Sequence, residues 1–123
     1  MTTKLLEHTV LSAHDPATGR YDARRLADAL AVTRAEMADI VGYTPQGLNK
    51  NPASPKLQAK LAEVTGLVNR LRELLDGDMA YVRIWLKAPH PDLGGRPPLD
   101  FLKEERYEVV ETLVHMIETG QPG

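Results

Sequence analysis

One stretch limits how this chain can fold more than any other, namely MAYVRIWLKAPHPDLGGRPPLDFL, residues 79–102. Four of its residues are prolines, each of which fixes φ and removes a backbone donor. The adjacent Gly94 and Gly95 permit positive φ. This combination predicts one sharply bent loop between two helices. The prolines of the loop are Pro89, Pro91, Pro97 and Pro98.

Two interpretations of this stretch remain open from its residues. In the first, the stiff loop presents a surface to a partner. In the second, the apolar side chains close a small core and the prolines only end two helices. The side chains available for such a core are Ile84, Trp85, Leu86, Leu93, Leu99, Phe101 and Leu102.

Length and composition favour packed helices. The chain has 123 residues, with one Trp, one Phe and four Tyr among many aliphatic residues. We therefore expect an all-α fold in one compact unit or two very small ones. Cysteine is absent, which excludes disulfides and thiolate metal sites. No run of about 18 apolar residues occurs and the N-terminus lacks the apolar core of a secretion signal, so we expect a cytoplasmic protein without a membrane segment.

Charge is distributed unevenly along the chain. Residues 22–62 hold six basic and four acidic side chains, a net charge of +2. Residues 76–118 hold five basic and nine acidic side chains, a net charge of −4. Different partners for the two halves are therefore plausible. We predict an N-terminal arm at 1–21, a helix-turn-helix unit with a long connecting helix at 22–76, and a second helical domain at 77–123.

The helix-turn-helix prediction comes from helix start and stop signals. Asp22 caps a first helix, and Thr33 with Glu36 forms a capping box that starts a second. Gly42 ends that second helix in a left-handed conformation. Thr44 then caps a short third helix that has a proline at its first position.

This short third helix is the second helix of the helix-turn-helix pair, and such a helix can lie in the major groove of DNA. Gln and Asn side chains pair with adenine, and a basic side chain reaches phosphate or guanine. A helical hairpin that serves packing alone is the alternative. The candidates for DNA contact are Arg34, Thr44, Gln46, Asn49, Lys50 and Asn51.

The longest predicted helix begins at Ser54 and Pro55 and carries apolar residues at spacings of 4, 3, 4, 3 and 4. These spacings are typical of a heptad seam. The seam is either an internal core contact or the interface of a homodimer, and we predict the dimer because twofold symmetry suits a pseudo-palindromic operator. The seam residues are Leu57, Leu61, Val64, Val68, Leu71 and Leu75.

The last helix packs inward through Tyr107, Val110, Val114 and Ile117. Its other face is acidic, which indicates either a solvated surface or a docking face for a basic partner. The acidic residues are Glu104, Glu105, Glu108, Glu111 and Glu118.

Residue patterns for covalent or metal chemistry are missing. The four histidines show no ligand spacing, so no metal site is predicted. Gly94, Gly95 and Arg96 lack the Lys-Ser/Thr pair of a phosphate-binding loop. Neither Ser12 nor Ser54 lies in a nucleophile-elbow context. We therefore predict no catalytic residues, no cofactor and no enzymatic activity.

The order of residues from Trp85 to Leu102, W-L-x-x-P-x-P-x-L-G-G-R-x-P-L-D-F-L, resembles the C-terminal toxin-binding domain of the Xre/MbcA/ParS antitoxins. The likeness covers roughly residues 78–120. A second stretch, TRAEMADIVGYTPQGLNKN at 33–51, looks like the Xre-type DNA-binding half that precedes this domain in the family.

This resemblance implies an antitoxin that represses its own operon and neutralises a toxin of the RES class. Such toxins consume NAD or transfer ADP-ribose from it, and family antitoxins cover their active-site cleft. Apolar anchors at Trp85, Leu93 and Leu99 and a charged anchor at Arg96 would suit that docking. The toxin-binding candidates are Trp85, Leu86, Pro89, Leu93, Gly94, Gly95, Arg96, Pro97 and Leu99.

A different class of function is also compatible with the sequence. A helix-turn-helix transcriptional regulator with a helical dimerisation domain and no toxin partner would share most of these features. The adjacent reading frame separates the two hypotheses, since only the antitoxin requires a neighbouring toxin gene.

Overall fold

The computed structural model describes residues 13–120, and within that range the fold is built from seven α-helices and a 3₁₀ turn. The expected N-terminal arm lies outside the described residues over 1–12, as does the tail at 121–123. Within the described range there is no β-strand, and the all-α prediction is confirmed. The helices are α1 (Ala23–Leu30), α2 (Arg34–Val41), α3 (Pro45–Lys50), α4 (Pro55–Leu74), α5 (Met79–Lys87), α6 (Pro98–Lys103) and α7 (Tyr107–Glu118), with the 3₁₀ turn at Pro91–Leu93 between α5 and α6.

The predicted helix starts and stops are confirmed. The Asp22 carboxylate accepts a hydrogen bond from the Arg24 amide at 2.8 Å and caps α1. Thr33 and Glu36 form both bonds of the capping box at the start of α2, and the bond from the Thr33 amide lowers the pKa of Glu36. Gly42 ends α2 at a φ of +74°. These elements therefore follow from local sequence chemistry.

The central helix α4 lies in the middle of the hydrophobic core. Five of its six seam residues, from Leu57 to Leu71, are each 1% exposed, and Leu75 packs partly buried against them. The chain's own helices therefore already cover the seam. The predicted use of these side chains as a dimer interface is wrong, and the alternative of an internal core contact is correct.

Both halves of the chain contribute to one continuous core. On one side, α5 is tied to the end of α1, because Arg83 Nε donates to the Ala29 carbonyl at 2.8 Å and Lys87 Nζ donates to the Ala31 carbonyl at 2.6 Å. Basic side chains commonly satisfy the last carbonyls of a helix in this way. The division into 22–76 and 77–123 stays a prediction about organisation, since the two segments share a core.

On the other side, the C-terminal helices pack against α2. The buried Tyr107 hydroxyl donates to the Ile40 carbonyl at the end of α2. Lys103 lies 3.6 Å from the Glu36 carboxylate. A Cβ at Gly42 would lie 2.6 Å from Glu105 Oε1, so the carboxylate of Glu105, in the turn between α6 and α7, lies directly against Gly42. Gly42 thus serves both the end of α2 and the junction of the two halves.

None of the helices between residues 13 and 120 combines the length and apolarity that crossing a membrane requires.

Candidate functional site

The loop between α5 and α6 is closed by its own backbone. The His90 amide donates to the Arg96 carbonyl at 3.2 Å, and the His90 carbonyl accepts from the amides of Leu93 and Gly95, each at 3.0 Å. Gly94 and Gly95 have φ values of +66° and +82°, a region that L side chains seldom occupy. The predicted sharply bent loop is confirmed. Its shape is fixed before any partner arrives.

Arg96 fastens the end of this loop to α6. Its guanidinium pairs with the carboxylates of Asp100, at 3.6 Å, and Glu104. The same group lies 4.4 Å above the centre of the Phe101 ring. The Arg96 side chain remains 41% exposed. In the isolated chain, Arg96 therefore braces the loop, and its outer edge stays accessible.

Two of the predicted toxin-binding residues are core residues. Leu86 is 1% exposed and Leu99 is 6% exposed, and both belong to the central cluster. A side chain already covered by its own chain has little surface left to give to a partner. The prediction that Leu86 and Leu99 contact a partner directly is wrong for these side chains, because each points from its helix into the core.

The other candidates are distributed between the surface and its edge. Pro89, Gly94 and Gly95 are exposed, whereas Arg96 and Pro97 are half-buried. Trp85 and Leu93 are also half-buried, and both pack against the core. The Trp85 ring meets the His90 ring edge-on, with centroids 6.4 Å apart, so the loop folds back along the end of α5.

Two exposed apolar residues on α5 were missed as site candidates. Tyr81 is 51% exposed and Ile84 is 64% exposed, which makes Ile84 the most exposed of the large hydrophobic side chains in the described chain. The two lie three residues apart and therefore share one face of α5. The amide of Ala88, the first residue after α5, bonds to the Ile84 carbonyl at 2.9 Å. We call Tyr81, Ile84, Trp85, Pro89, Gly94 and Gly95 the α5–loop surface.

A weak sequence signal for Ile84 did exist. Val82 and Leu86 already supply an inward face at i and i+4 and are at most 1% exposed, so Ile84, midway between them, points away from that face. An apolar residue placed there has no core to fill. Exposed apolar side chains of this kind, next to a stiff loop, are typical of interaction sites.

The acidic face predicted for the C-terminal helix is largely engaged within the chain. Glu104 pairs with Arg96, Glu105 lies 3.5 Å from Lys60, and Glu118 lies 2.7 Å from Arg70. Hydrogen bonding to Arg70 lowers the pKa of Glu118. These pairings leave a weaker acidic surface than the sequence indicated.

The DNA-contact candidates are all exposed: Arg34, Thr44, Gln46, Asn49, Lys50 and Asn51. They lie on α2, on α3 and at the residues bounding α3. The Thr44 hydroxyl accepts from the Gly47 amide at 2.9 Å, so its acceptor function is already used by the helix cap. The predicted order of helix, turn and short helix is present. DNA contact itself stays a prediction.

Metal chemistry has no visible basis in the part of the chain that the structure describes. Across residues 13–120, no group of three or more His, Asp or Glu side chains is placed to hold a metal ion.

Residues 70–120 match the family model of the antitoxin Xre/MbcA/ParS C-terminal toxin-binding domain. The C-terminal segment is therefore similar to an Xre/MbcA/ParS toxin-binding domain. The match runs from the last turns of α4 to the end of α7 and includes the whole α5–loop surface. It confirms the resemblance predicted from the residues between Trp85 and Leu102.

An Xre/MbcA/ParS toxin-binding domain supports an antitoxin role for this chain and implies a toxin as partner. Antitoxins of this family are generally not enzymes. Searches of curated proteins and of solved structures found no match to this chain.

Proposed function

We propose that this protein neutralises a RES-type toxin by laying the α5–loop surface over the toxin's active-site cleft, and that it represses its own operon through α3. The observation that carries the toxin proposal is Ile84, an apolar side chain that is 64% exposed within the toxin-binding domain. Burying such a side chain against a partner contributes about 1–2 kcal/mol.

A preformed loop lowers the entropic cost of docking. The cross-bonded segment from His90 to Arg96 has little conformational freedom left to lose, since its turns are set by two glycines and its end is held by ion pairs. Immobilising a flexible side chain on binding costs about 0.5–1.5 kcal/mol, and a rigid loop avoids part of that cost. The proposed action is occlusion, in which the loop and α5 exclude substrate without any chemistry of their own.

Arg96 fits this proposal as a support for the loop. Its ion pairs with Asp100 and Glu104 hold the end of the loop against α6. The exposed edge of its guanidinium also suits a carboxylate of the toxin, because guanidinium binds carboxylate through two parallel hydrogen bonds.

The toxin proposal is tested with Ile84→Asp. A carboxylate placed in a dry interface costs several kcal/mol, so we expect the variant to bind the toxin at least about 100-fold more weakly, equivalent to about 2.7 kcal/mol. Toxin released in this way should consume NAD in the presence of the variant. The measurements are affinity for the toxin encoded beside this gene and the rate of NAD loss.

Ile117→Asp is the matched control. Ile117 is also an exposed isoleucine, at 41%, contrary to its predicted inward position, and it lies on α7 outside the α5–loop surface. This control should neutralise the toxin as the wild type does. Full neutralisation by Ile84→Asp, with its helical content unchanged by circular dichroism, would remove the α5–loop surface from the toxin interface.

For repression, the exposed amides of Gln46 and Asn49 on α3 are the proposed base-reading groups. Replacing both by alanine should abolish preference for the operator over unrelated DNA in a gel-shift assay. Unchanged preference would exclude α3 as the recognition helix.

The alternative is a transcriptional regulator without a toxin. The helix-turn-helix order of α2 and α3 fits a plain transcriptional regulator as well as it fits an antitoxin. A toxin-binding domain favours only the antitoxin. Co-expression with the product of the neighbouring gene distinguishes the two, because only an antitoxin should purify as a complex with it.

A further inference from the structure

A cleft of about 290 Å³ lies between the N-terminal arm and the helix-turn-helix unit. Three arginines from three separate segments line it: Arg20 of the arm, Arg24 of α1 and Arg34 of α2. Asn49 of α3 lines the same cleft. The fold therefore brings arginines from three segments to a cleft that the proposed recognition helix also lines.

We infer that Arg20, Arg24 and Arg34 form a phosphate-binding rim that holds the backbone of duplex DNA beside α3. This inference rests on the proposed DNA binding and assigns its electrostatic part to these three arginines. Arg34 was a predicted contact, whereas Arg20 and Arg24 were not.

The described part of the arm, residues 13–21, is held in place by the rest of the protein. Gln58 of α4 accepts from the Tyr21 amide and donates to the Tyr21 carbonyl, both at 2.9 Å, and it also donates to the Pro52 carbonyl at 2.9 Å. The Asp15 amide donates to the Arg20 carbonyl at 2.7 Å and closes the turn of the arm. These hydrogen bonds hold the backbone around Arg20 beside the cleft.

The charges at the cleft favour an anion. Each of the three arginines is exposed, and none forms an ion pair within the described part of the chain. Two aspartates also line the cleft, but both are half-buried and turned to local backbone amides. Asp15 accepts from Ala17 and Asp22 accepts from Arg24, each at 2.8 Å.

The arrangement suits an extended anion better than a small one. All three arginines that line the cleft are exposed, which suits a ligand that lies across its mouth. Phosphate contacts from arginine position a protein on DNA without reading the sequence, while side chains in the groove read the bases. Arg20, Arg24 and Arg34 would do the first task, and Gln46 and Asn49 the second.

The test is a salt titration of DNA binding by the full chain, with Arg20→Gln/Arg24→Gln against the wild type. The DNA is the segment immediately upstream of the gene, compared with an unrelated duplex of equal length. Each phosphate contact contributes about 0.9 to the slope of log K against log salt, so the double variant should lose about 1.8 from that slope. Affinity should fall by a similar factor for both duplexes, which leaves the preference for the operator unchanged.

Arg25→Gln is the matched control for Arg24→Gln, because Arg25 is the next residue of α1, is also exposed, and does not line the cleft. Its guanidinium lies 3.7 Å from the Asp22 carboxylate. The control should change the slope by less than half as much as Arg24→Gln does. Equal effects of the two substitutions would overturn the assignment of the rim.

The two proposals fail in different ways. DNA binding by the wild type with an unchanged slope in Arg20→Gln/Arg24→Gln overturns the arginine rim alone. A wild-type chain that binds neither duplex overturns the proposed repression and the rim together.

Discussion

Tyr107 joins the two halves of the protein, and Tyr107→Phe tests that junction. The substitution keeps the ring in its buried site and removes only the hydroxyl that donates to the Ile40 carbonyl. Among the described residues, no other group outside the helix ladders donates to the Ile40 carbonyl. Leaving a buried carbonyl without a partner costs about 1–3 kcal/mol, so the free energy of unfolding at pH 8 should fall by that amount.

The pH dependence of this loss gives a sharper test. Burial, assisted by the nearby carboxylates of Glu63 and Glu105, raises the pKa of Tyr107 well above its ordinary value of 10.0. Above pH 10 the unfolded chain therefore loses this proton while the folded chain retains it, and the wild type loses stability as pH rises. At pH 11 this loss is about 1.4 kcal/mol. The Tyr107→Phe variant does not lose this stability, because phenylalanine has no hydroxyl that ionises.

The stability difference between Tyr107→Phe and the wild type should therefore shrink by about 1.4 kcal/mol between pH 8 and pH 11. Urea unfolding followed by circular dichroism at the two pH values measures it. A difference that stays constant would refute the raised pKa of the buried hydroxyl. A cost below about 0.5 kcal/mol at pH 8 would refute the hydrogen bond across the junction.

Four further substitutions test the packing of the fold. Thr65→Val should raise the free energy of unfolding by about 1 kcal/mol, because the Thr65 hydroxyl is buried without a hydrogen-bond partner in the described structure; a loss of stability in urea would contradict this. Leu99→Ala should cost about 2–4 kcal/mol as a cavity in the core, and a melting temperature equal to that of the wild type would show that Leu99 is not a core residue. Gly42→Ala should cost about 1 kcal/mol because of its positive φ, and adding Glu105→Ala should change that cost little because the flexible end of the Glu105 side chain can move aside; recovery of the loss by Glu105→Ala in the same unfolding assay would contradict this. Gln58→Ala removes three hydrogen bonds to the arm and the α3–α4 turn, so it should accelerate amide hydrogen exchange at Tyr21; unchanged protection would mean that the arm is held by other contacts.

Local chemistry determined where the helices begin and end. The capping box at Thr33, the left-handed Gly42, and the bend at Gly94 and Gly95 were all predictable because each depends on residues within a few positions of itself. The same holds for the toxin-binding domain, whose residue order from Trp85 to Leu102 was recognisable in the sequence and is matched by the family model.

Which face of a helix is covered was decided by the tertiary structure. The heptad spacing of α4 described a buried seam correctly, but it could not say whether a second copy or the chain's own helices covered it. Leu99 and Ile84 are apolar residues in one short segment, yet Leu99 is 6% exposed and Ile84 is 64% exposed. Similarly, Arg20, Arg24 and Arg34 belong to three different segments, and the fold brings them to one cleft.

The physical reason is that backbone conformation responds to near neighbours, whereas burial and electrostatic grouping depend on how helices pack. Periodicity gives the direction in which an apolar side chain points from its own axis. The helix that meets it there can come from any part of the chain. The sequence by itself determined the helices, the stiff loop and the likeness of residues 70–120 to a toxin-binding domain, and only the packed fold decided which side chains remain for partners.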